Sequence, residues 1–86
     1  MLSEEYDILI VRSVTYAQRT RKALDRAGIP NRVFRAPMEL SDTGCAYAVR
    51  LPTGHLREAL EVLRRENLNP ARAFLYRNHE YLEAAL

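Results

Sequence analysis

The chain has 86 residues, 48% hydrophobic and 28% charged, with 13 basic residues, 11 acidic residues and a single cysteine. That length suits one domain with a small core, and one cysteine excludes an internal disulfide and so a disulfide-stapled secreted scaffold. A net charge of +2 is too small to indicate an anionic partner, although twelve of the thirteen basic residues are arginine, the side chain suited to fixed, bidentate anion contacts.

Residues 6–12 (YDILIVR) are β-branched and aliphatic and read as a first strand. Ser13 follows as a helix N-cap. Ala17, Thr20, Ala23, Leu24 and Ala27 then recur at spacings of three and four, which predicts an amphipathic helix over 14–27. Gly28 closes that helix and Pro30 prevents its continuation. Residues 32–36 (RVFRA) form a second strand cut off by Pro37, and 37–44 form a polar loop. Over 45–51 (CAYAVRL) the pattern alternates, with Cys45, Tyr47, Val49 and Leu51 on one face and Ala46, Ala48 and Arg50 on the other. Pro52, Thr53 and Gly54 turn the chain into a second helix over 55–66, with Thr53 as its expected N-cap. After a break at 67–70, residues 71–77 (ARAFLYR) read as a fourth strand. Tyr81, Leu82, Ala85 and Leu86 then suggest a short amphipathic helix over 78–86.

The order βαββαβ predicts an α+β fold of ferredoxin-like type: a four-stranded antiparallel sheet with two helices on one face, plus a C-terminal helix. The chain is expected to be a single domain over 1–86, with its core in 6–77. Several strands are apolar on both sides, Ile8 and Ile10 against Leu9 and Val11, and Phe74 and Tyr76 against Leu75. The face away from the helices therefore needs cover from the tail helix, a ligand or a second copy, and a homodimer through it is the expectation.

The longest apolar run, residues 8–11, is far short of the roughly 20 that span a bilayer. The acidic start, Met1 to Glu5, does not read as a signal peptide. A cytoplasmic protein with no membrane partner is expected.

In this topology the end of strand 1 lies beside the start of strand 3, so Arg12 and Ser13 approach Cys45. The first helix starts at the same edge, where free N–H groups and the positive end of the helix dipole favour a thiolate. Gly44 leaves access beside the sulfur. A hydrolase nucleophile would also need a histidine in reach. His55 and His79, however, fall at the opposite edge of the sheet. The histidines and the single cysteine supply no metal-ligand spacing, and no Walker-type or GxGxxG loop is present, so neither a metal nor another cofactor is expected. The βαββαβ order also suits RNA-recognition domains. Those use aromatics on strands 1 and 3, and here Leu9 and Cys45 stand where stacking rings are needed, which argues against nucleic acid. A thiol without a general base suits sulfur or selenium carriage, or redox sensing, better than hydrolysis, and a carrier or binding protein is expected rather than a turnover enzyme.

The residues resemble a small selenium/sulfur carrier-like family of bacterial proteins over roughly 6–77. The resemblance rests on an aliphatic strand ending in Ser13, Tyr16-Ala17 early in the first helix, and Ala27-Gly28-Ile29-Pro30 at its exit. Ala36-Pro37 and Leu40-Ser41 follow, then a cysteine opening a strand that ends in arginine, Cys45 to Arg50. It implies that Cys45 carries sulfur or selenium as a persulfide or selenosulfide between donor and acceptor proteins, with Arg12 and Ser13 lining its pocket. The family usually has glycine directly after the cysteine, whereas this chain has Ala46 there and Gly44 before. The alternative is a small-molecule-binding or dimerisation module of ACT-like outline, with Cys45 only packed.

Overall fold

The structure is a computed structural model that describes residues 4–40 and 47–86. In chain order the elements are β1 (Tyr6–Val11), α1 (Val14–Arg26), β2 (Arg32–Arg35), a 3₁₀ turn (Met38–Leu40), β3 (Tyr47–Pro52), α2 (Leu56–Arg65), β4 (Arg72–Arg77) and β5 (Glu80–Ala84). All neighbouring strands are antiparallel, and they form one five-stranded sheet in the order β2-β3-β1-β4-β5.

Local chemistry sets most of the element ends. The Ser13 hydroxyl accepts from the Tyr16 N–H at 3.1 Å and caps α1. At the other end of α1, Gly28 adopts φ 75°, its N–H donates to the Asp25 carbonyl and the Ile29 N–H donates to the Leu24 carbonyl. This is a Schellman stop, and the positive φ explains why glycine stands there. Asn67 (φ 58°) ends α2 by the same pattern, with the Leu68 N–H on the Leu63 carbonyl at 2.8 Å. Ser13→Ala is expected to cost about 1 kcal/mol, read as a lower urea midpoint at unchanged slope.

Two expectations about element ends are corrected. Thr53 does not cap α2. The His55 N–H donates to the Pro52 carbonyl at 3.3 Å, closing a turn in which Gly54 has φ 91°. His55 thus becomes the last residue before the helix and takes the N-cap place without a side-chain capping bond. The C-terminal helix does not form either. Asn78 (φ 51°) and His79 (φ 66°) make a two-residue turn of the type that joins right-twisted strands, and the chain reverses into β5. Tyr81 then packs on Tyr76 with ring centroids 4.9 Å apart, and Arg72 grips Glu83 through two bonds of 2.8 and 3.0 Å. The sheet therefore has five strands where four were expected.

Both helices cover one face. Leu9, Val49, Leu51 and Ala73 from the sheet pack with Ala23 and Leu24 of α1 and Ala59 and Leu63 of α2. On the other face Ile8, Ile10, Ala48 and Phe74 form a second cluster with Ala36 and Leu40, from the segment that follows β2. The chain thus buries Ile8 and Ile10 with its own residues, and their burial requires no second copy.

Candidate functional site

The end of the sheet where β1 finishes and β3 begins is built from both partners of one strand pair. Val11 lies opposite Tyr47, and the last residue of β2, Arg35, lies opposite Tyr47 on its other side. Arg12 and Ser13 follow Val11 directly and are exposed. The Ser13 oxygen is engaged as the α1 cap through one lone pair, which leaves the hydroxyl its proton and a second lone pair to offer a ligand. The Arg12 guanidinium has no ion-pair partner among the described residues. The first turn of α1 holds no acidic residue, so nothing on the helix itself offsets the positive end of its dipole.

Three of the sequence-derived site residues, Gly44, Cys45 and Ala46, lie outside the described residues. In sequence Cys45 stands two positions before Tyr47, the residue opposite Val11. This end of the sheet is held firmly by neighbouring loops. The Asn69 N–H donates to the Tyr16 phenol oxygen at 2.7 Å, and the Ala71 N–H donates to the Ile10 carbonyl at 2.8 Å.

Sequence reasoning passed over Arg35 and Tyr47 at this end. The Arg35 guanidinium lies 5.8 Å from the centre of the Tyr47 ring, a cation–π contact that the β2–β3 register creates. Residues 32–36 read as a strand in the sequence, but only strand pairing brings Arg35 to Tyr47.

His55 follows β3 and His79 follows β4, so both lie at the opposite end of the sheet from the Val11–Tyr47 pair. His79 is exposed, and the His55 ring lies 3.5 Å from Glu58. Among the described residues no three His, Cys, Asp or Glu side chains are grouped to hold a metal ion, and no helix is long and apolar enough to cross a membrane.

That opposite end carries two features that sequence reasoning missed. On the helix side Asp7, 1% exposed, accepts from Arg77 Nη2 at 2.9 Å, while Arg77 Nη1 donates to the carbonyls of Tyr6 and Tyr76 at 3.0 Å each. On the far side Tyr6, Tyr76 and Tyr81 form a row of rings spaced 4.8 and 4.9 Å, with Arg50 over Tyr6 at 3.9 Å. Burial, followed by the neighbouring Tyr6 and Glu39, pushes the Tyr81 phenol up to about 12. The Arg72 hydrogen bonds hold the Glu83 carboxyl below its ordinary range.

A small α+β domain with an exposed arginine beside a helix N-terminus is the class that the fold and this sheet end define. The chain belongs to the family described as Putative Se/S carrier protein-like, whose model matches residues 5–74. No curated protein and no solved structure matches the chain.

Proposed function

We propose that this protein is a cysteine-based sulfur or selenium carrier in which Cys45 holds the cargo between a donor and an acceptor protein. Membership of the carrier-like family over residues 5–74 is the observation that carries this reading. The ferredoxin-like core is β1 to β4, with β5 added at its edge. In the loading step the Cys45 thiolate attacks the terminal sulfur of the donor's persulfide. A new S–S bond forms on Cys45, the donor's S–S bond breaks, and the donor leaves as a thiolate, with no net oxidation. A selenosulfide exchanges in the same way. Delivery is the same reaction with an acceptor thiolate as the attacking group.

Arg12 supports this role as an exposed cation with no ion-pair partner among the described residues, directly after the strand that pairs with the start of β3. The N–H groups of the first turn of α1, oriented by the Ser13 cap, supply further positive potential for an anionic sulfur, and Gly44 and Ala46 flank it. Arg12→Gln is expected to slow alkylation of Cys45 at neutral pH about threefold, the effect of a half-unit rise in the thiol pKa. An unchanged rate would remove Arg12 from the site while leaving the carrier reading intact.

A second reading rests on a cavity of about 580 Å³ lined by Asp7, Leu56, Leu60, Leu75 and Arg77, a size that suits a small ligand. On that reading the chain is an ACT-like binding module. A small molecule that raises the melting temperature equally in wild type and Cys45→Ser would favour it.

A further inference from the structure

The two edges of the sheet are built differently. At one edge β2 has only four residues, begins and ends in arginine, and is flanked by Pro30 and Pro37. Charge, proline and short length are the devices that keep a strand edge from pairing with another chain. At the other edge β5 has five residues and no proline, its two charged side chains are Glu80 and Glu83, the second of them neutralised by Arg72, and Leu82 at its centre is 47% exposed. Leu86, just beyond the strand, is 61% exposed. This edge lies outside residues 5–74 that match the family model, so nothing in that match accounts for it.

The turn at Asn78–His79 determines which backbone groups of β5 are unpaired. In a two-residue hairpin of this kind the flanking residues, Arg77 and Glu80, exchange both backbone hydrogen bonds, and such pairs alternate along the ladder. Given the register, Leu75–Leu82 and Ala73–Ala84 are the next bonded pairs. Tyr81 and Glu83 therefore direct their N–H and C=O groups outward, away from β4.

We infer that β5 pairs with β5 of a second copy of this chain, antiparallel about a two-fold axis through Leu82, to form a continuous ten-stranded sheet. In this register Tyr81 and Glu83 of one copy exchange four backbone hydrogen bonds with Glu83 and Tyr81 of the other. Leu82 meets Leu82 at a non-bonded position, where Cα atoms approach to about 4.5 Å and side chains are closest. Glu80 falls opposite Ala84, so no carboxylates face each other. Centring the axis on Glu83 would set two carboxylates opposite one another, and centring it on Tyr81 would set Leu82 against Glu80. Charge and apolar matching thus select one register. A strand pair buries little area for a specific interface, so the dimer is expected to dissociate on dilution.

The test follows the whole chain by light scattering and cross-linking. At about 0.1 mM, where weak interfaces are populated, wild type should run at twice the monomer mass. Leu82→Lys, which sets like charges at the axis on an already exposed position, should raise the dissociation midpoint at least about tenfold. In a Cys45→Ser background, Leu82→Cys should be joined by oxidised glutathione at least about tenfold faster than Glu80→Cys. The first pair sits within the Cα range of a disulfide, whereas the second lies about 13 Å apart. A monomer at all concentrations overturns the inference. So does a dimer indifferent to Leu82→Lys, or equal cross-linking at positions 80 and 82, which would place a second copy on another surface such as the tyrosine row. None of these readouts involves Cys45 chemistry, so the carrier proposal and this one fail separately.

Discussion

Cys45→Ser is expected to abolish persulfide formation on this protein. The chain has one cysteine, so every sulfane sulfur bound through a thiol must reside on Cys45, and the variant provides a complete blank. Wild type incubated with a persulfide donor should take up one sulfur per chain, detected by a persulfide-selective probe and by intact mass. The variant should take up none. On the carrier proposal, which sets the α1 N-terminus and the Arg12 guanidinium beside Cys45, the accompanying alkylation profile should show a thiol that titrates below the free value of about 8.5. A wild-type signal no greater than that of Cys45→Ser, with a thiol titrating at or above that value, would sink the carrier proposal. Serine is close in size to cysteine, so this comparison tests sulfur chemistry with little change in packing.

Arg77→Leu is expected to be the most destabilising single change at the opposite end of the sheet. Asp7 is buried, and its register partner on β4 is Leu75, which puts Arg77 on the diagonal, two residues along. The guanidinium satisfies the Asp7 carboxylate and the carbonyls of Tyr6 and Tyr76 together. Removing it strands a buried carboxylate and takes one hydrogen bond from each of the two carbonyls. Loss of one partner of a buried pair costs about 3–5 kcal/mol, a large share of the 5–15 kcal/mol that holds a typical domain. Urea denaturation should show the midpoint falling steeply. Asp7→Leu combined with Arg77→Leu should recover at least about 1 kcal/mol relative to the sum of the single changes, because no unpaired charge then remains. A cost for Arg77→Leu below about 1 kcal/mol would mean that water, rather than the guanidinium, satisfies Asp7.

The Val11–Tyr47 pair, two residues beyond Cys45 in sequence, and the Asp7–Arg77 pair lie at opposite ends of one sheet, and the ends differ in how far they can be read from sequence. Ser13, Gly28 and the alternation from Tyr47 to Leu51 announced themselves because capping, a left-handed helix stop and strand periodicity are local properties. The apposition of Arg12 and Ser13 with the start of β3 followed from the βαββαβ order, and the Val11–Tyr47 pair agrees with it. Asp7 was a visible signal, a lone acid within an apolar strand. Its partner, however, lies 70 residues away and is set by the β1–β4 register. The tail misled for a related reason. The spacing of Tyr81, Leu82, Ala85 and Leu86 fits a helix, and the Asn-His turn lacks the glycine that usually marks a hairpin. Tilted packing of the Tyr81 ring on Tyr76 and the grip of Arg72 on Glu83 are rewards available only once β4 is in place, and they outweigh a weak helical preference.

Sequence alone determined the two helices, the first four strands, the two faces of β1, β3 and β4 and the family, because each rests on local pattern or on residue order. Only the tertiary structure decided the fifth strand, the buried Asp7–Arg77 pair and the closing of the second sheet face by Ala36 and Leu40. Each of these depends on contacts between distant segments, and the energy of such contacts is not encoded in the short-range periodicity of either partner.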